Sequence, residues 1–558
     1  MINDLNLRGL YVIIYKISSK EVCFLAKKDK KVKEPVDGGL YTEDFYAKQN
    51  RRYVGTKETV GYVIFDMAQS FNINTYSERF ITTIFKLDLG LQAVANLINS
   101  IWDIVNDTFS GALVDKTRTR WGKFKPYLVV LGIPGTLATC LYWLMPLLFP
   151  NASSTSMAKF FFYLVLAILR ETGGTFRGFA QTGMLATITP NPIERTRLIT
   201  QAQFFSGFLG EKLPQQIMDI VLDLIGNQFV GKGNFDKAYK GVFIGMGIFT
   251  SLVSGIAALW FATITKERVM QSVETPSIKE GIKSIVNNKP ILLLTLSDTL
   301  SSFSLFSGSK QDYFIDVLNF ATLGTIVGIP GAIVHPFSYT LVPWFRKRFS
   351  TRALAILGKY SIDITYIPVF LVGCIGGKKN GLYKKVLPMG IALCLQETFY
   401  MFFYGLRHVI PSEMYNEAMD YCEWKNGYRT EAMTSAAKGL AQKLASTLSN
   451  FVKTLFKKWI GYDINAYTQG TAQSDSTKFW LFAMFTVLPL ITTTLGIIPL
   501  LFYDLSGKKR DKMYEELLAR RALMNSEITD GDAAALDKVK AAQKAISSEN
   551  KKESDLEG

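Results

Sequence analysis

Histidine and cysteine are scarce in this chain: 2 His and 5 Cys in 558 residues. His335 and His408 stand far apart, which removes a multi-histidine metal site. The cysteines (Cys23, Cys140, Cys374, Cys394, Cys422) are scattered and form no Cys-x-x-Cys pair, so a disulfide framework is not expected. Three of them lie in apolar stretches, where a free thiol behaves as a small hydrophobe. There is no Gly-x-x-x-x-Gly-Lys-Ser/Thr loop to cradle ATP, which disfavours a primary pump. Neither histidine has the neighbours of a nucleophile–base pair, so the chain does not read as an enzyme, and no cofactor is expected. The early apolar run 10–17 is too short for a secretory signal and lacks a small-residue cleavage site. Charge is also sparse, at 20% of residues.

What is abundant is apolar and aromatic. Hydrophobic residues make up 48%, with 39 Phe and 25 Tyr, and the mean hydropathy is +0.15. The net charge of +16 could suggest nucleic acid, but the basic residues are clumped between long apolar runs. That is the pattern of a polytopic membrane protein with basic cytoplasmic loops, not of a nucleic-acid partner.

About 20 apolar residues cross a bilayer as a helix, and about twelve such runs can be read. They lie near 59–85, 89–113, 127–149, 159–189, 203–226, 241–264, 290–318, 320–345, 352–376, 384–409, 433–460 and 478–503. Lys116, Lys123 and Lys125, then Arg195 and Arg197, Lys266 and Arg268, and Arg346 to Arg352 place the loops after even-numbered runs in the cytoplasm, with both termini on that side. Arg118/Arg120 and Arg346/Arg348 are offset by 228 residues, and Lys212 and Lys443 by 231. Two parallel six-helix halves account for both offsets. The fold expected is therefore all-α and membrane-embedded, with twelve transmembrane helices in two six-helix major-facilitator bundles. The division expected is an extension 1–55, bundles 56–264 and 290–503, a connector 265–289 and a cytoplasmic tail 504–558.

Ionisable residues inside such runs are costly and become functional candidates. Asp103 and Asp107 are four apart, so their carboxylates share one helix face, with Asn106 beside them. Two carboxylates that close in low dielectric call for a cation or a proton, or else for a structural ion pair. Asp66, Gln69, Asn72 and Tyr76 follow helical spacing in the first run. Ser297, Asp298, Ser301, Gln396 and Glu397 add polar faces in the seventh and tenth. Such faces suit sugar hydroxyls as well as plain helix–helix packing.

The segment Asp115-Lys116-Thr117-Arg118-Thr119-Arg120-Trp121-Gly122-Lys123-Phe124-Lys125-Pro126, following Trp102-Asp103-x-x-x-Asp107, resembles the glycoside–pentoside–hexuronide:cation symporter family. Asp420 to Glu431 resembles the family's loop before helix eleven, and Thr187 to Arg197 its loop after helix four. The resemblance covers about residues 56–525 and implies a cation-coupled carrier of a small sugar in the cell membrane. It implies that Asp103 and Asp107 hold the coupling cation, Na⁺ or H⁺, with Thr175 completing the site and Lys443 nearby. The aspartate that binds sugar in melibiose carriers falls on Gly178, beside Arg177, and their helix-five arginine falls on Gln203, so galactoside specificity does not carry over. Asp66, Asn72, Arg177, Gln203 and Lys443 remain as substrate or coupling residues. Arg177 either pairs with Glu171 or holds an anion. Asp115, Arg118 and Arg120 read as a topology signal and a gate latch, Asp115 pairing across the halves. An amphiphile carrier of the same fold would instead need an apolar, lipid-open cavity, and a sensor without transport would lean on residues 1–55.

Overall fold

The computed structural model describes residues 53–117, 119–189, 192–229, 235–268, 286, 288–426, 431–505, 507 and 509–517. The expectations for residues 1–52, for Arg118 and for the Asp115 side chain lie outside the described residues, as do most of the connector and the tail beyond 517. Apart from a short bridge between Thr119 and Gly122, the regular structure described is helical. The longer helices are α1 (Thr56–Ser70), α2 (Leu89–Lys116), α3 (Gly132–Leu148), α4 (Met157–Ile188), α5 (Pro192–Phe205), α6 (Leu213–Phe229) and α7 (Phe235–Ile264). After the connector come α8 (Lys289–Ser302), α9 (Leu323–Arg346), α10 (Thr351–Cys374), α11 (Val386–Phe402), α12 (Tyr404–Asn426), α13 (Glu431–Trp459), α14 (Asp475–Thr486) and α15 (Pro489–Leu501).

Their starts are written locally. Asp88 caps α2 by accepting from the Gly90 and Leu91 N–H groups, and Asn288, Ser350 and Ser474 cap α8, α10 and α14 in the same way. Among the described residues five stretches are long and apolar enough to cross a bilayer: Tyr127–Leu148, Phe235–Ile264, Thr351–Cys374, Val386–Lys425 and Asp475–Leu501. A sixth, Leu323–His335 continued by Phe337–Arg346, is bent by 52°. The bend falls at Pro336, which has no N–H to donate to the preceding turn. By length α2, α4 and α13 would also span, with 28, 32 and 29 residues, but each carries several charged residues that dilute its apolarity.

Two runs read as continuous are broken. The first stops at Ser70 and resumes at Ser77; the seventh stops at Ser302 and resumes at Lys310. Apolar content cannot reveal this, because the breaks are made by hydrogen bonds: Asn72 Nδ2 donates to the carbonyls of Gln69 and Ser70 that the broken helix releases. Two stretches expected as loops are helical, namely 192–202 within α5 and the continuation of α12 to Asn426.

Both breaks lead into the same backbone device. A π turn follows at Phe80–Ile84 and again at Tyr313–Val317, an offset of 233. Each is closed by a matched pair of hydrogen bonds, Phe85 N to Phe80 O and Leu87 N to Ile81 O, then Leu318 N to Tyr313 O and Phe320 N to Phe314 O. Each also ends on a non-glycine residue in the left-handed region, Lys86 (φ 56°) and Asn319 (φ 52°), again 233 apart. A duplicated backbone is the simplest source of three equal offsets.

The helices before residue 268 and those after 286 form two groups; one apolar cluster lies within each, and two others are shared, Ile315 and Ala321 joining a cluster of the first group and Leu89 one of the second. Between the two groups α2 runs along α13, and α6 meets α9. Ion pairs that join the groups lie from the middle of α2 and α13 toward the end of the molecule that holds the two π turns. There Arg79 is 2% exposed and forks onto Asp316 at 2.8 and 2.9 Å, with Asp312 at 3.5 Å. Lys457 reaches Asp312 at 2.7 Å and Glu78 at 3.4 Å, Lys458 reaches Asp88 at 3.0 Å, and Tyr462 donates to Asp316. The described ion pairs at the opposite end stay inside one group: Glu58 with Arg268, Glu413 with Arg346, Glu417 with Arg510. There Glu267 accepts the backbone N–H groups of Lys123, Phe124 and Lys125.

Breaking a buried pair by removing one partner leaves an uncompensated charge and costs about 3–5 kcal/mol. Asp316→Asn should therefore lower the thermal unfolding midpoint of the purified protein by several degrees, whereas Lys384→Gln, which disrupts an exposed pair with Asp475, should leave it nearly unchanged. Equal midpoints for Asp316→Asn and the wild type would show that the Arg79 network contributes nothing to stability.

Candidate functional site

The i, i+4 spacing sets Asp103 and Asp107 on the face of α2 that meets α13, and Lys443 projects from α13 between them. Its Nζ donates to Asp103 Oδ2 at 2.8 Å and to Asp107 Oδ2. From α4, Thr175 Oγ1 donates to Asp107 Oδ1 at 3.4 Å, a long contact, and Trp102 Nε1 donates to Thr172 at 3.0 Å. Glu171, one turn before Thr175, stands within hydrogen-bonding reach of Asp103. The side chains are half-buried, 21% exposed for Asp103 and 37% for Asp107, so water and small ions reach them. Lys443 and Arg170 are both cations that act on these carboxylates.

Two polar cavities adjoin the cluster. One, of about 330 Å³, lies between α1, α3, α4 and α7 and is lined by Gln69, Asn72, Thr136, Arg177, Gln181 and Ser254 among others. The other, of about 280 Å³, follows α2 and α13 toward the closed end and is lined by Gln92, Asn96, Asn99, Asn450 and Lys453 among others. Arg170 and Glu171 line both. The larger cavity exists where α3 and α4 touch backbone to backbone: a Cβ on Gly173 would stand 3.2 Å from the Gly135 Cα. Such small-residue contacts let membrane helices approach closely.

The remaining sequence candidates divide. Asp66 is 5% exposed and accepts from Gln181 Nε2 and from Ser206 Oγ at 2.5 Å, behind the larger cavity. Arg177 makes no ion pair with Glu171; its Nη1 donates to Gln69 Oε1 at 3.2 Å and Ser254 Oγ at 3.0 Å. Asn106 does not join the aspartates. It is buried and accepts from Ser110, because three residues from Asp103 turns it about 60° away around the helix. Gln203 is exposed and lines neither cavity, and Arg120 is exposed in its loop. Asp298, expected on a cavity face, is instead held by Lys359 at 3.0 Å and Lys438 at 2.6 Å.

Sequence reasoning missed Arg170 and the Arg79–Asp312–Asp316–Lys457 network. A signal for both existed, since all five are ionisable residues inside or beside apolar runs, the same rule that picked out Asp103. Their partners lie more than 140 residues away or depend on a cavity wall, which spacing cannot reveal.

Residues 59–507 match the family described as MFS/sugar transport protein. The chain is 27% identical over 485 residues to an isoprimeverose transporter of Lactiplantibacillus pentosus, covering 86% of this chain and 94% of that one. It is 23% identical to a putative glycoside/cation symporter, YagG, of Escherichia coli, covering 86% and 98%. Among solved structures, a bacterial homologue of the iron transporter ferroportin in its inward-facing state superposes with a TM-score of 0.53 at 13% identity, over 80% of this chain and 98% of that one, a likeness of fold alone. By a match that runs from α1 through α15, the chain belongs to the MFS/sugar transport protein family.

Proposed function

We propose that this protein is a cation-coupled sugar carrier working by alternating access, with the cation at Asp103 and Asp107 and the sugar in the adjoining cavities. The observation that carries the reading is Lys443, set between two aspartates that it bridges from the other group of helices. A unit charge pair about 4 Å apart is worth about 4 kcal/mol at an effective dielectric of about 20. Lys443 is therefore not released without a substitute charge. Na⁺ or H⁺ at the carboxylates supplies one, and freeing α13 from α2 lets the two groups move. The cation and the movement are thereby coupled through one set of oxygens.

The 233-residue repeat favours two parallel bundles of six helices, about twelve in all, in the membrane. In this reading 56–264 and 290–503 are the bundles, 265–289 the connector between them and 504–558 a tail. The basic loop around Lys123 faces the cytoplasm together with both termini, and Arg120 belongs to its gate with Asp115 and Arg118. The end closed by Arg79 and Lys457 is then the outer one, and the structure corresponds to an inward-facing carrier. The cavity walls are amide, hydroxyl and guanidinium groups, which suit a sugar better than an amphiphile. Thr175 completes the cation site, and Asp66 and Asn72 shape the sugar cavity from α1 and the break after it. Gln203, exposed on α5, is assigned to coupling rather than to sugar contact.

Asp103→Asn and Asp107→Asn keep the side-chain shape but remove a charge. Each should abolish the stimulation of sugar binding by Na⁺ or by a pH step, and with it uphill accumulation in proteoliposomes. Exchange down a gradient should survive, because the sugar contacts lie on other residues. Wild-type cation dependence in both variants would sink the symport mechanism. Lys443→Ala removes the competitor, so cation affinity measured by titration should rise about tenfold, while the effect of cation on sugar affinity is lost. A weaker cation site in Lys443→Ala would mean that the lysine supports the site and does not compete for it.

A further inference from the structure

Helix α13 belongs by sequence to the second group, yet most of its ionic ties run to the first. Lys443 binds Asp103 and Asp107, Lys453 and Lys457 bind Glu78, and Lys458 binds Asp88. It also packs along α2 more extensively than along α8 of its own group. Release of Lys443 alone would therefore not make α13 leave α2; a hold from the second group is needed. Among the described ion pairs two supply it. Lys457 meets Asp312 at the closed end, and Lys438 meets Asp298 on the other side of Lys443.

Asp298 is itself firmly anchored. Its Oδ1 takes the ammonium of Lys359 on α10 at 3.0 Å, and its Oδ2 that of Lys438 at 2.6 Å. Lys359 also donates to Ser297 Oγ at 2.5 Å and Ser301 Oγ at 3.2 Å, and Ser297 Oγ donates to the Gly496 carbonyl at 2.5 Å. The acid is thus fixed to α8, α10 and α15 together, a point of the whole group and not of one helix. Five residues along an α-helix turn about 140° and rise about 7.5 Å. Lys438 and Lys443 accordingly leave α13 on different faces, one toward α8 and one toward α2.

The duplication carries the same contact. Asp66 stands four residues before the break at Ser70 and Asp298 four before the break at Ser302, an offset of 232. Their partners, Ser206 at the start of the π segment that leads into α6 and Lys438 on α13, are also 232 apart. In the first group the contact is a hydrogen bond. In the second it is an ion pair, on the helix whose other ties are ionic.

We infer that Asp298 is a positioning residue of the coupling step: it keeps α13 with the second group, so that displacement of Lys443 by a cation parts the two groups. The inference rests on the transport reading and adds to it the residue that turns release into movement.

The test separates release from movement in the purified full-length protein, across a Na⁺ titration at fixed ionic strength and across pH steps. Release is the rate at which an amine-specific reagent modifies Lys443. Movement is the distance between nitroxides on p-acetylphenylalanine placed at Asn151 and Lys379, exposed positions of the first and second groups at the π-turn end. In the unmutated protein both should respond to one of the two cations. In Asp298→Asn, Lys443 should be released over the unmutated cation range, while the longer-distance population falls to less than half. That variant leaves two ammoniums facing no acid, so Asp298→Asn/Lys438→Gln restores the local net charge without restoring the tie. The double variant should fold and stay uncoupled in the same way, and Asp298→Glu should regain part of the movement. Full movement in the double variant overturns the inference and leaves the transport reading standing, and so does loss of Lys443 release in it, which would make Asp298 a support of the cation site. Absence of either response in the unmutated protein overturns both.

Discussion

Charge cannot be left alone at bilayer depth, and the organisation of this protein follows from where each charge finds its counterpart. Asp103 and Asp107 lie on a helix of the first group, and the ammonium that answers them comes from α13 in the second. This makes an electrostatic requirement into a mechanical link. While Lys443 serves as the counter-ion, α2 and α13 are tied; in the proposed mechanism another cation takes its place and the tie becomes redundant. A half-buried setting suits the exchange, since a fully buried lysine would have no competitor at hand and a fully exposed one would be screened.

The same helix carries its lysines in series. Lys443 meets the aspartate pair, Lys453 and Lys457 meet Glu78, and Lys458 meets Asp88. Of these ties the Lys457 one is the most buried, and it lies at the π-turn end, where Arg79, Asp312 and Asp316 close the molecule. Arg79 and Asp312 are themselves 233 residues apart, the offset of the duplicated backbone, so the closure joins corresponding points of the two repeats with opposite charge. At the other end the described ion pairs join acids and bases within one group. In the proposed mechanism an opening motion starts at Lys443 and is resisted at Arg79.

The apolar runs and the charges within them were enough to read a membrane-embedded helical protein and to single out Asp103 and Asp107; Lys443 was placed beside them by the family resemblance. Four-residue spacing fixes a shared face regardless of tertiary detail, and that is why the pair was legible. Asn106 shows the limit: adjacent in sequence, it lies on another face and binds Ser110. Asp298 shows another, because its two lysines come from α10 and α13 and no local pattern announces them. The helix breaks after Ser70 and Ser302 escaped a reading based on apolar content, since they are held by the Asn72 side-chain amide and by backbone turns. Arg177 was legible as a residue but not as a role: pairing with Glu171 and holding an anion were both open, and in the structure its described partners are Gln69, Ser254 and Thr136.

The central claim is that a cation displaces Lys443 from Asp103 and Asp107. Its most direct test is the reactivity of that one amine. The rate at which an amine-specific reagent modifies Lys443 can be followed by mass spectrometry of the purified protein, across a titration with Na⁺ at fixed ionic strength and, separately, across pH steps corrected for the reagent's own dependence. Modification should accelerate as the coupling cation saturates, with Lys458, paired at the far end with Asp88, unchanged. A rate for Lys443 that does not respond to Na⁺ or to protons, in a protein that still binds its sugar, would contradict the account.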